Sequence, residues 1–158
     1  MMNVRLINIG KTTIPFLKEG ELVYEKRLKH YLNFERIDLK EIKTNRNQNK
    51  DILKKSEAEL LLKMIKPNDI VIILDEKGDH YSSEDFSKWL NKKEIRGLKQ
   101  VVFIIGGAYG FDKTIYDRAN EKLSISKMTF SHQMIRLLFL EQLYRAKTIL
   151  NGEKYHHS

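Results

Sequence analysis

The residues able to do chemistry lie in the C-terminal part of the chain. Gly106-Gly107-Ala108-Tyr109-Gly110 places three glycines within five residues, directly after Val101-Val102-Phe103-Ile104-Ile105. That apolar β-branched run reads as a buried strand. A glycine turn behind a strand lets the backbone bend sharply and lets a ligand approach the main chain; without a ligand it is a tight turn and no more. Leu123 to Phe130 then runs from brief apolar alternation into hydroxyl-bearing residues, and Ser131 is placed to cap a helix carrying His132, Arg136, Glu141, Tyr144 and Arg145. Histidine titrates where a general base is useful, so His132 and His156 are the candidates for proton removal. Arg136 and Arg145 are candidates for gripping phosphate or neutralising a developing anion. Each also has a plainer use. A lone histidine serves as a structural hydrogen-bonding group, and Arg145 is spaced to pair with Glu141 on one helix face, which contributes little if exposed. The chain has no cysteine, which excludes disulfides, thiolate metal sites and a cysteine nucleophile. No His, Asp and Glu cluster has metal-ligand spacing, so no metal is expected.

These groups need a scaffold, and its elements are legible. Val4–Ile9 alternates apolar and polar residues and reads as a first strand. Pro15 to about Tyr31 reads as a helix with Phe16, Val23 and Leu28 inward, weakened by Gly20. Phe34 to Ile42 holds a second strand. Asn45 to Lys50 is a polar loop. Asp51 is placed to cap a helix from Ile52 to Ile65, with Ile52, Leu53, Ser56, Leu60 and Met64 on one face. Ile70-Val71-Ile72-Ile73-Leu74 has no alternation and should be covered on both faces, as in a parallel sheet. Asp75 to Asp79 reads as a turn, and Ser82 or Ser83 caps a helix with Phe86, Trp89 and Leu90 inward, ending near Gly97. A short helix is expected near Asp112 to Asn120. Alternating strands and helices predict an α/β fold with a mostly parallel sheet flanked by helices. In such sheets ligands settle beyond the carboxyl ends of the strands. The helix from Gln133 to Leu143 is apolar on more than one side, which favours a subunit interface over enclosure in one small core.

At 158 residues the chain is most simply one domain, long enough to bury a core. No apolar run approaches the roughly 20 residues of a membrane span, and the start lacks the apolar segment and small-residue site of a signal peptide. A cytoplasmic protein without membrane contact is therefore expected. Lys and Arg number 29 against 21 Asp and Glu, a net charge of +8. That field favours polyanions such as nucleic acid, and equally keeps a lysine-rich protein soluble.

Four motifs in order carry a resemblance: Ile105-Gly106-Gly107-x-x-Gly110, then Leu123-Ser124-x-Ser126-Lys127-Met128-Thr129-Phe130-x-His132, then Glu141-Gln142-x-Tyr144-Arg145-Ala146, and Tyr155-His156 near the end. The chain resembles, over nearly its whole length, the ribosomal RNA large subunit methyltransferase H family, of the SPOUT class of S-adenosylmethionine-dependent RNA methyltransferases. The resemblance implies a C-terminal trefoil knot, which periodicity does not show and which chains generally avoid. It implies a homodimer packed through helices that include the last. It sets S-adenosylmethionine against Leu74, Gly106, Ile125, Ser126, Lys127, Met128, Thr129 and Phe130. The implied activity is methylation of N3 of a pseudouridine in 23S ribosomal RNA of the assembled ribosome. It adds the tail residues Tyr155 and His156 to Arg145 and His132 as catalytic candidates. His157 stands where the family usually has Lys or Arg, so RNA contact there would be weaker or pH-sensitive. The alternative is a non-catalytic basic α/β module that binds a ribosome or a nucleotide. Dinucleotide enzymes and other methyltransferase folds put their glycine loop after the first strand, and Ile9-Gly10-Lys11 has none.

Overall fold

In the computed structural model, which describes residues 1–43, 49–98 and 100–157, five parallel strands form one sheet among the described residues, in the order β2-β1-β4-β3-β5. The strands are β1 (Asn3–Ile9), β2 (Asn33–Leu39), β3 (Ile70–His80), β4 (Val101–Ile105) and β5 (Glu121–Ser124). They alternate with α1 (Pro15–Leu28), α2 (Lys50–Lys63), α3 (Ser83–Ile95) and α4 (Lys113–Arg118); α5 (Met134–Leu150) and a 3₁₀ turn over Lys154–His157 close the chain. The polar loop residues 45–48 lie outside the described residues.

The central strands are apolar on both faces because both are covered. Val4, Leu6, Phe103, Ile72 and Ile105 pack under α1, α3 and α5. Ile7, Ile9, Val71, Ile73, Val102 and Ile104 pack against α2 and α4 through Ala58, Leu61 and Ile115. All five residues of β4 are buried, and each such side chain contributes about 1.5–3 kcal/mol relative to exposure. The Phe103 and Phe139 rings, 4.7 Å apart, tie the sheet to α5.

Four local expectations are corrected. Asn49, not Asp51, caps α2, its side chain accepting from the Asp51 N–H at 2.9 Å. The inner face of α2 is Glu57, Ala58 and Leu61, while Ile52 is exposed. Leu17, Glu21 and Leu28 form the inner side of α1, leaving Phe16 63 % and Val23 43 % exposed. The expected turn Asp75–Asp79 instead lies within β3, which bulges there and rejoins β5 at Asp79 and His80.

Arg136 is fully buried on α5 and cannot reach a phosphate. Its guanidinium donates to the carbonyls of Ile9 (2.7 Å) and Gly10 (3.0 Å) and to the Thr12 hydroxyl. Those carbonyls have run out of strand partners at the end of β1, and the arginine supplies donors that water cannot. Beside it Arg36 is paired with Glu21, Glu25 and Asp38. Arg136→Ala is expected to leave a cavity and orphaned carbonyls, destabilising the fold by about 3 kcal/mol. A urea titration with a lowered midpoint and unchanged slope is the expected readout.

Candidate active site

The carboxyl ends of β4, β3 and β5 are neighbours in the sheet, and the loops leaving them enclose a cleft of about 590 Å³. That is the size of a site for a nucleoside-sized ligand. Of the residues expected there, Leu74, Gly106, Ile125, Ser126, Met128, Thr129 and Phe130 line it; Lys127 is exposed and does not. The loop after β5 is held by its own hydroxyls. Ser124 Oγ donates to the Ser126 carbonyl, and the Met128 N–H donates to Ser126 Oγ, both at 2.9 Å. This holds Met128, 76 % exposed, at the cleft mouth, where a bound ligand would cover it. The glycine turn is tight. A Cβ at Gly106 would stand 3.0 Å from the Phe111 ring.

Asp75 and Tyr116 are among the lining residues that the sequence did not single out. Local composition predicts a turn at Asp75, yet β3 carries it to the cleft beside Tyr116 of α4. The Tyr116 hydroxyl donates to Asp75 Oδ2, and the Lys77 N–H donates to Oδ1 at 2.8 Å. Burial, then the hydrogen bond to Asp75, pushes the Tyr116 phenol up to about 12. The signal available was the acidic residue immediately following the most apolar strand, where that strand leaves the core.

His132 lines the same cleft. It lies in the turn before α5, where Ser131 Oγ accepts from the Met134 N–H at 3.1 Å, so the expected cap forms. Burial, and then the nearby Arg136 charge, hold His132 below its usual pKa. It is therefore a neutral imidazole at physiological pH, able to accept a proton.

Arg145, Tyr155 and His156 gather elsewhere, between α5 and α3. The expected Arg145–Glu141 pair forms at 2.6 Å, and it is this hydrogen bond first that raises the arginine pKa. Tyr155 donates to the same Glu141 oxygen at 3.0 Å and lies 3.2 Å from the Tyr24 hydroxyl. Arg145 Nη1 is 3.2 Å from His156 Nδ1, whose Nε2 lies 2.8 Å from Glu84 on α3. Burial, then hydrogen bonding to Tyr24 and Glu141, raises the Tyr155 pKa. It stays a phenol, a donor and not a base. Terminal residues usually fray; this tail is docked by ring packing on Tyr144 and by these bonds. A smaller hollow of about 150 Å³, lined in part by Ser83 and Gln142, shares Leu123, Ser124 and Ile125 with the cleft. The tail cluster adjoins that hollow through Gln142, whose Nε2 donates to Glu141 Oε2 at 3.0 Å and whose Oε1 accepts from Ser83 Oγ at 2.8 Å.

Behind the glycine turn stands a carboxylate that the sequence did not single out. Glu57 of α2 is buried, and a Cβ at Gly107 would stand 2.8 Å from its Oε2. Burial first, and Glu41 second, push its pKa up to about 7. The folded pKa exceeds the unfolded one, so the native state binds the extra proton. Stability is then greatest below the unfolded value near 4.5 and falls as pH rises to about 7. Glu57→Gln should therefore stabilise the fold at about pH 8 by up to roughly 2–3 kcal/mol, with little gain at about pH 4. Thermal melts of both proteins at the two pH values measure it.

Among the described residues no group of three or more His, Cys, Asp or Glu is placed to hold a metal. No helix among them is long and apolar enough to cross a membrane. A family model described as "Predicted SPOUT methyltransferase" matches residues 2–156. The chain belongs to the SPOUT methyltransferase family. Similar curated relatives agree with this. A protein of Cytophaga hutchinsonii is 49 % identical over 156 residues, covering 99 % of this chain and all of the relative. One of Parabacteroides distasonis is 49 % identical and one of Flavobacterium johnsoniae 48 %, each covering 99 % of both chains. All three are named ribosomal RNA large subunit methyltransferase H. SPOUT membership makes the chain an enzyme of methyl transfer, and the parallel sheet flanked by helices is its scaffold.

Proposed function

We propose that this SPOUT methyltransferase uses S-adenosylmethionine to methylate N3 of a pseudouridine in 23S ribosomal RNA of the assembled ribosome, acting as a homodimer. The observation that carries the reading is the cleft at the ends of β4, β3 and β5: apolar and hydroxyl groups, a glycine turn open to close main-chain approach, and one fixed carboxylate. A nucleoside with an amino-acid tail fits that donor set and volume. Leu74, Gly106, Ile125, Ser126, Met128, Thr129 and Phe130 would hold it, and Lys127 would act from the exposed side of the loop. When bound, S-adenosylmethionine supplies an activated methyl group. The chain's own task is to position the acceptor and take its proton. His132 is the base in the cleft. Arg145, fixed by Glu141, steadies the negative charge that develops on the deprotonated imide. Tyr155 and His156 form the wall on which the target nucleotide rests, and the net charge of +8 draws the chain to RNA.

The single domain, the C-terminal knot and the homodimer belong to the same reading. Support for the dimer comes from Phe16, Leu22 and Val23, exposed on α1, and from Met134, Leu137 and Leu138, half-buried on the adjoining α5. Together they form an apolar surface of the kind that marks an interface. A cytoplasmic site follows from a ribosomal substrate.

The test adds labelled S-adenosylmethionine to ribosomes lacking the modification. Label in 23S RNA is the expected result. Stable ribosome binding without label would favour the non-catalytic module instead.

A further inference from the structure

The ionisable lining of the cleft carries one net negative charge on a basic protein, with Lys122 Nζ nearby, 5.7 Å from the Tyr116 ring. Its lining includes the ionisable residues Asp75, Glu76, Lys77, Tyr116 and His132. Tyr116 remains a phenol and His132 is neutral. Glu76 and Lys77 are exposed and of opposite sign, so their fields largely cancel in solvent. Asp75 differs from both. It is half-buried, and each of its oxygens is fixed, one by the Tyr116 hydroxyl of α4 and one by the Lys77 N–H. A carboxylate has further lone pairs beyond those two bonds, and the charge stays in place at the mouth of β3.

We propose that Asp75 is the fixed charge by which the cleft prefers a cationic methyl donor to the neutral product left after transfer. The inference rests on reading this cleft as the S-adenosylmethionine site. That donor carries a sulfonium, an ammonium and a carboxylate, a net single positive charge. During transfer the acceptor nitrogen forms a bond to the methyl carbon. The carbon–sulfur bond breaks with its electron pair going to sulfur, and the product is a zwitterion without net charge. A negative charge held near the cleft therefore stabilises the donor complex more than the product complex, because the product keeps its ammonium and carboxylate and loses only the sulfonium charge. In a chain of net charge +8, a carboxylate fixed at the cleft offsets the surrounding positive field where the donor binds. Product release is favoured by the same arrangement. Tyr116 is the positioning residue that keeps the carboxylate from swinging into solvent.

Calorimetric titration of the full chain with S-adenosylmethionine and with S-adenosylhomocysteine is the test. Asp75→Asn is expected to weaken the donor about ten-fold and the product by less than about two-fold, collapsing the preference. Tyr116→Phe should shift the ratio the same way by a smaller amount, and added salt should narrow it in the unaltered protein. Retained product binding shows that the Asn variant is folded. Equal losses for both ligands, or an unchanged donor affinity, would overturn the assignment. An unaltered protein that binds neither ligand would instead overturn the reading of the cleft itself.

Discussion

Gly106→Val is expected to abolish donor binding while the sheet stays folded. The glycine follows β4, the strand buried along its whole length, so the backbone there cannot retreat. A Cβ already meets the Phe111 ring at 3.0 and 3.1 Å; two further methyls must displace that ring or project into the cleft. Both outcomes remove the space a nucleoside needs. Displacing one half-accommodated aromatic ring costs about 1–3 kcal/mol, which a folded domain survives. Filling the cleft should lower affinity by more than about 100-fold, beyond calorimetric detection. Circular dichroism should show the native helical content, and titration with S-adenosylmethionine should show no heat. Retained affinity within a few-fold would mean that the ligand sits elsewhere.

The second large effect is on transfer alone. Removing residues 155–158 should leave donor binding intact and lower the turnover number by about 100-fold or more. Tyr155 and His156 touch Glu141, Tyr24, Arg145 and Glu84, and neither lines the donor cleft. Their loss frees Arg145 to swing on its Glu141 partner and removes the wall beside the smaller hollow. The readout is a split: an unchanged donor dissociation constant beside a collapsed rate of methyl incorporation into 23S RNA. Tyr155→Phe separates the contributions, since it keeps the ring packed on Tyr144 and deletes only the hydroxyl. Undiminished turnover in the truncated chain would remove the tail from the active site.

Much of the scaffold is legible in local pattern. β4 and the first half of β3 announce themselves as unbroken apolar runs, because a strand covered on both faces has no reason to alternate. The α3 cap at Ser82 and the cap at Ser131 are equally visible, since a hydroxyl before a periodic segment satisfies the exposed N–H groups of the first turn. The failures are as instructive. Asp75-Glu76-Lys77-Gly78-Asp79 has turn composition, yet it continues β3. A Cβ at Gly78 would meet the backbone of Leu123 at 2.7 Å, so the strand crosses β5 too closely for any side chain, and a bulge carries the extra residues. Periodicity places Phe16 and Val23 inward, yet both are exposed. A helix with apolar residues on two sides does not say which side meets its own sheet.

From the sequence alone came the α/β class, the strands, the glycine turn and the loop that should meet a donor, because these depend on local pattern and on motifs in fixed order. Where Asp75, Glu57 and Arg136 act was settled only by the tertiary structure. Arg136 looked available for phosphate and proved to be sealed against two carbonyls. Asp75 looked like surface and proved to face the cleft. Glu57, which no motif singles out, presses against the glycine turn. A charged residue's role depends on what desolvates it and what lies opposite, and Tyr116 beside Asp75, Gly107 beside Glu57 and Ile9 beside Arg136 lie 41 to 127 positions away in the chain; no local pattern encodes a partner at that distance.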